Sequence, residues 1–247
     1  MIKNLRELYR YRELLAVMVW RDIKVKYKQS VMGFLWAILM PLIIVSAGIV
    51  VKYAISIVSG TPMKLSQLVT VSVKAVPWAF VVNSIRFATS RLVQNNNLVT
   101  KIYFPKEVFP MAAVLSNVFD FLVASGLLAI ILMISHTGAS IHLAYVPVLI
   151  LVLLALVTGL GMILAALNLF FRDVKYLVEV VLTFAIFFTP VLYEVTLFKD
   201  YSKFLLMNPV APLLEALNSC VVLHEMPRVG WILYSAIMSC LILFGSY

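Results

Sequence analysis

The sequence predicts an all-α integral membrane protein. It should carry six transmembrane helices, an N-terminal amphipathic interfacial helix and an external re-entrant helical hairpin. Three observations carry this. Hydrophobic residues make up 63% of the 247 residues and charged ones 13%, where a soluble domain has roughly 45–50% apolar residues; the mean hydropathy is +1.03. The apolar runs are continuous rather than alternating, which selects helices over a barrel. Fourteen of the 20 Lys and Arg residues fall on one side of those runs, which sets their orientation.

The N-terminal helix comes first. On a helical wheel over residues 3–19, Lys3, Arg6, Glu7, Arg10 and Glu13 share one face. Leu5, Leu8, Leu15 and Val19 lie opposite, with Arg12 snorkelling between them. Such a helix lies flat in the membrane interface. A cationic run follows, "RDIKVKYK", with five charges between Arg21 and Lys28, set directly against an uncharged stretch from Gln29 to Val51. Residues 1–32 form this interfacial region, and 33–247 a single membrane domain.

The spans are expected at residues 33–58, 66–92, 108–135, 144–170, 176–194 and 229–247, each near or above the ~20 residues that cross a bilayer. Residues 204–223 are apolar but hold Asn208, Pro209, Pro212 and Glu215. They read as part of a hairpin over 195–224 that returns toward the membrane from outside; a seventh span is the alternative. Eight Lys and Arg precede Gly33, and the 95–107 connection and the Arg172–Lys175 turn add more. The N-terminus is therefore cytoplasmic, and six spans return the C-terminus to the same side.

The net charge of +9 belongs to a membrane surface facing anionic headgroups, not to nucleic acid. The N-terminus is no cleaved signal peptide, because its charged region is long and the run behind it spans fully. Cys220 and Cys240 read as packing residues. His136, His142 and His224 have no partner at ligand spacing, so no metal is expected. Asp120, Arg172, Asp173, Glu179 and Glu215 sit in or at the ends of apolar segments, where charge is costly. Arg172 and Asp173 read as caps at the end of the fourth span, and Asp120 as a structural hydrogen-bond partner. The acids are scattered, whereas an enzyme needs a clustered site. Residues 95–107 hold Asn95–Asn97, suited to a helix end. Lys101, Lys106 and Glu107 then surround Tyr103 and Phe104, and Pro105 can open a short helix.

Six stretches, in order, carry a resemblance: "RDIKVKYKQSVMGFLWAILMPL", "PWAFVVNSI", "KIYFPKEVFPMA", "NLFFRDVKYLVE", "FTPVLY" and "NPVAPLLEAL". The chain resembles the permease subunits of ATP-binding-cassette exporters of cell-surface polysaccharide, the family that moves lipid-linked O-antigen, teichoic acid and capsule-type polymers. Two features depart from the family pattern. Lys74 stands where apolar residues are usual, and the chain ends at "LILFGSY" where relatives continue into a cytoplasmic tail, so a truncated sequence is expected.

The resemblance implies a bacterial inner- or plasma-membrane location and a nucleotide-binding ATPase subunit as partner. The residues require the same partner. Active export needs ATP, and no G-x-x-x-x-G-K-[ST] loop is present; no Gly is followed by Lys. ATP and Mg would be bound by the partner, with no cofactor in this chain. By resemblance, Arg21, Asp22, Lys24, Lys26 and Tyr27 join the interfacial helix to the first span and face the motor. Lys101, Tyr103, Phe104, Pro105, Lys106 and Glu107 form the coupling segment. A second copy of the chain is implied, since six short-looped helices do not comfortably enclose a pore for a sugar polymer. Ala155 with Gly159, and Gly161 with Ala165, permit close helix contact within or between subunits.

A sliding polymer needs weak, repeated contacts, which aromatic faces supply. The expected lining is Trp36 and Tyr53 on the first span, Trp78, Phe80 and Phe87 on the second, and Phe187, Phe188 and Tyr193 on the fifth. Phe80 and Phe87 share a face, as do Phe184 and Phe188. A membrane-embedded enzyme of lipid-linked glycan metabolism is the alternative function, and a passive channel a third.

Overall fold

The computed structural model describes residues 10–28, 35–60, 65–101, 104–135, 138, 140–195 and 201–247. Its helices are α1 (Arg12–Lys28), α2 (Leu35–Ser59), α3 (Leu65–Gln94), α4 (Asn96–Lys101), α5 (Val108–Ile134), α6 (Val146–Phe170), α7 (Val174–Phe188), α8 (Ser202–Leu206), α9 (Val210–Asn218) and α10 (Val229–Gly245). A 3-10 turn, Ile141–Tyr145, leads into α6, and a π-helical turn, Ser219–Leu223, extends α9. A helix occupies each of the six apolar runs. By length and apolarity, three stretches among the described residues can cross a membrane: Gln67–Gln94, Val108–Ile134 and Ile141–Phe170.

Helix α3 is the axis of the bundle. It packs against α2, α5, α6, α7 and α9, and its apolar window is 83% buried against 17% for α5. That position explains its composition. Thr70, Ser72, Ser84, Thr89 and Ser90 are buried on α3, a density of polar side chains that would be costly against lipid. Inside the bundle two of these groups find partners on their own helix, Ser72 donating to the Leu68 carbonyl at 2.9 Å and Thr89 to that of Ile85 at 2.7 Å, while the buried Ser84 hydroxyl has no partner among the described residues. The outer helices show the opposite pattern. Leu122, Ile130 and Met133 on α5, Leu151 on α6 and Leu233, Ile237 and Leu241 on α10 are large, apolar and exposed, as lipid-facing positions are.

The small residues of α6 are used within the chain. A Cβ on Gly159 would come within 2.8 Å of the Leu243 backbone on α10, and one on Gly161 within 2.8 Å of Ala88 Cβ on α3. The glycines let three helices approach closely, and α6 becomes the wedge between α3 and α10.

Several expectations need correction. The interfacial helix over 3–19 followed by a joint at 21–30 is replaced by one continuous helix, α1, that carries the cationic run to Lys28; residues 1–9 and 29–34 lie outside the described residues. The 95–107 connection is not all loop. After α3 ends at Gln94, the Asn95 side chain donates to the Arg91 carbonyl at 2.9 Å, and α4 follows at once. Pro105 begins a turn into the long α5, its carbonyl accepting from Val108 N–H at 3.3 Å. The fifth apolar run is helical only to Phe188, because Thr189 precedes Pro190 and is extended (φ −117°, ψ 132°).

The prolines of the hairpin do not interrupt a helix. Pro209 precedes α9 and Pro212 lies in its first turn, where backbone N–H groups have no intrahelical acceptor to lose. Asn208 organises this start. Its Oδ1 accepts from Val210 N–H at 3.1 Å, and its Nδ2 donates to Thr189 Oγ1 at 3.0 Å, tying α9 to the end of α7. Almost all of α9 is buried.

Lys74 is the unexpected feature of the core. Its side chain is 0% exposed, and its Nζ lies 2.6 Å from Glu215 Oε1 on α9 and 3.4 Å from the Tyr193 carbonyl. A buried ammonium is tolerated only with its counter-charge. Replacing Glu215 with Gln is expected to cost about 3–5 kcal/mol, toward the lower end because Glu215 keeps some exposure. The double variant K74M/E215L should recover most of that loss, read as the melting temperature of the purified protein. Gly159→Val should separate α10 from α6 and lower the melting temperature, with Gly230→Ala, in open space, nearly neutral.

Candidate functional site

The end of the bundle that holds α1 gathers most of the residues singled out from the sequence. Helix α1 lies against α5, with Leu14, Leu15, Met18 and Val19 on an apolar cluster formed with Leu92, Val108, Phe109, Ala112 and Ala165. Along the same face, one turn after Met18, stands Asp22. It is 7% exposed. Its two oxygens receive two guanidinium groups: Arg91 of α3 at 3.0 Å and Arg21 at 3.0 Å. Arg21 also reaches Asn95 Oδ1 at 3.5 Å.

A second polar rung lies one turn further along. Lys26 and Tyr27 both donate to Asp120 of α5, and Lys26 also donates to Asn117 Oδ1 at 3.2 Å. Asn117 and Asp120 are three residues apart and so share a face of α5. Burial, reinforced by the Asp120 carboxylate, pushes the Tyr27 phenol well above its ordinary range. Tyr27 therefore stays protonated and acts as a donor. The Lys26 ammonium sits 5.0 Å from the centre of the Phe87 ring and the Arg91 guanidinium 6.0 Å from it.

The cationic run is thus split in two. Asp22, Lys26 and Tyr27, expected to face a partner, instead bind α1 to α3 and α5, because a carboxylate or ammonium on the packed face of a helix must be neutralised there. Lys24 and Lys28 remain on the exposed face, Lys24 stacked 5.2 Å over the Trp20 ring. Lys101 and Lys106 are exposed and Glu107 half-buried beside them. Phe104 packs on Phe109 with ring centres 5.4 Å apart, half-buried rather than free. Tyr103 lies outside the described residues. Arg172 and Asp173 are exposed in the turn between α6 and α7, with Asp173 opening α7.

The eight aromatics expected to ring one channel fall into separate groups. Trp36, Phe80 and Phe87 line a single cavity of about 350 Å³ at the α1 end. Trp78 is a core residue, 5% exposed and packed inside the bundle, and is not part of that cavity's lining. Tyr53, Phe187 and Phe188 are exposed, and the Tyr193 hydroxyl donates to the Phe187 carbonyl at 2.8 Å. The opposite end of the bundle holds a second cavity of about 480 Å³, lined by Glu194, Glu215, Glu225, Arg228 and Trp231 among others.

Sequence reasoning missed Arg91, Asn117 and Asn168. Buried Asn168 joins three elements: its Nδ2 donates to the Thr89 carbonyl at 3.0 Å and its Oδ1 accepts from Lys175 N–H at 3.1 Å. An Asn two residues before a helix end was the available signal, but its partner Thr89 comes from a distant segment. The ladder predicts a contrast between neighbours. Asp22→Asn, which leaves Arg91 without a counter-charge, should lower the melting temperature by several degrees. Lys24→Gln, on the exposed face, should stay within about 0.5 kcal/mol of wild type.

Residues 13–222 match the ABC-2 type transporter family. The chain is 30% identical over 249 residues to the O-antigen export system permease protein RfbA of Myxococcus xanthus, covering 100% of this chain and 94% of the relative. It is 24% identical over 204 residues to the protein of the same name from Klebsiella pneumoniae, covering 82% of this chain and 77% of that one. With most of its length matched, the chain belongs to the ABC-2 type transporter family of membrane proteins.

Proposed function

We propose that this chain is the channel-forming membrane subunit of an ATP-driven exporter that moves lipid-linked polysaccharide out of the cytosol. The observation that carries this is the similarity along the whole chain to a permease named for O-antigen export. Helices α2, α3, α5, α6, α7 and α10 are the six spans, and α8–α9 with the π-helical turn form the external re-entrant hairpin. Both termini face the cytosol, and two copies pair to make the pathway.

Export needs ATP, and the chain has no phosphate loop of its own, so a separate nucleotide-binding subunit drives it. The α1 end receives that subunit. Lys24, Lys28, Lys101 and Lys106 are exposed there, Phe104 stands half-buried on the core residue Phe109, and Tyr103 belongs to the same segment. Asp22–Arg91 and Lys26–Asp120 then join the docking surface to α3 and α5. A push on α1 would reach the spans through ion pairs rather than through a flexible linker.

The test uses the permease assembled with its ATPase subunit. Replacing Lys101 and Lys106 with Glu should leave the protein inserted and thermally stable but cut polymer export at least tenfold, with ATP hydrolysis no longer responding to the permease. Normal export by the double variant would overturn the docking assignment. Export with the ATPase subunit absent would overturn the exporter reading itself.

A further inference from the structure

The cavity of about 350 Å³ between α1, α2, α3 and α5 is polar at one end and apolar along the rest. The polar end holds Lys26, Asn83, Arg86 and Asp120. Asp120 is already engaged by Lys26 and Tyr27. Asn83 and Arg86 are three residues apart and share one face of α3. Among the described residues, neither has a hydrogen-bond or ion-pair partner. Arg86 lies eight residues, about 12 Å, inside the end of α3. Arg86 is exposed rather than enclosed, so its permanently charged guanidinium is open to an anion that enters the cavity.

The other end of the cavity continues along the helices. Val76, Ala79, Phe121 and Ala124 line it beyond Arg86. Val76 and Ala124 also border a slit of about 10 Å³ between Leu42, Leu127, Leu128 and Ser72, which a chain would enter only by moving these side chains apart. From Arg86 to Val76 is ten residues of α3, about 15 Å. The site therefore offers at its head a cation and an amide, both without a partner among the described residues, and an uncharged groove behind them.

We infer that this cavity binds a phosphate-headed lipid, with the phosphate against Arg86 and Asn83 and the chain laid along Val76 and Ala124. A guanidinium presents paired N–H donors that match phosphate oxygens, and the Asn83 amide adds another. Lys26 and Asp120 offset one another, so Arg86 gives the polar end of the cavity its net positive charge. A free anion would gain nothing from the apolar groove, and a neutral lipid would leave Arg86 unpaired. Two lipids share this chemistry, an anionic phospholipid of the bilayer and a polyprenyl phosphate of the kind that carries glycans. The inference does not rest on the exporter reading, because binding is measured without transport.

The full chain, purified in detergent, is titrated by native mass spectrometry with undecaprenyl phosphate, phosphatidylglycerol, diacylglycerol and inorganic phosphate. At least one phosphate lipid should bind with one molecule per chain. Arg86→Gln should weaken it roughly tenfold, about 1.4 kcal/mol, and Asn83→Ala by a smaller factor. Arg172→Gln, an exposed cation in the α6–α7 turn, should have no effect. Preference for undecaprenyl phosphate would identify a carrier-lipid site, and equal binding of phosphatidylglycerol a bilayer-lipid site; both uphold the inference. Diacylglycerol binding as tightly as the phosphate lipids would overturn it. So would inorganic phosphate binding alone, or equal losses from Arg86→Gln and Arg172→Gln. If Arg86→Gln does not fold, the Asn83→Ala result decides, and unchanged lipid binding by that variant overturns the inference.

Discussion

The arrangement depends on one constraint: a charge carried into apolar surroundings must meet its opposite there. Helix α3 brings two such charges, Lys74 toward one end and Arg91 toward the other, seventeen residues or about 26 Å apart, while its third cation, Arg86, is exposed. Lys74 is met by Glu215 of α9 and Arg91 by Asp22 of α1. These two contacts decide where the short hairpin helix and the N-terminal helix can sit. Neither partner helix would be placed so narrowly by apolar packing alone, since apolar contact is non-directional.

This gives α3 an unusual character for a helix of membrane length. It is the most polar of the long helices and also the most buried. The inversion is what a membrane bundle requires. Lipid accepts only apolar faces, so polar side chains collect where protein surrounds them. The glycines of α6 serve the same end by bringing α6 close enough to α3 and α10 to exclude lipid from the centre.

The two ends of the bundle are chemically different. At the α1 end, positive groups dominate: Lys24, Lys28, Lys101 and Lys106 are exposed, as is Arg86 at the wall of the cavity. At the other end Glu194, Glu215 and Glu225 line the cavity with Arg228. The bias in Lys and Arg that orients the chain is thus also a difference in what each end can bind, a cation-rich surface on one side and an acid-rich cleft on the other.

The sequence by itself determined the class of fold, the helix positions and the family. Continuous apolar runs, their lengths and the ordered motifs are local or additive properties, and neither depends on which helix touches which. The glycine pairs of α6 were legible as contact points for the same reason. What only the tertiary structure decided was pairing. Asp22, Lys26 and Tyr27 read as a free cationic surface because their partners, Arg91 and Asp120, are about 70 and 90 residues away in sequence. Lys74 read as a departure from pattern because Glu215 is 141 residues distant. Trp78 read as a channel wall because periodicity assigns a residue to a face but not the face to its neighbour. A charge or a ring in a membrane helix announces that it needs a partner; which partner is set by helix packing, and that is a property of the whole chain.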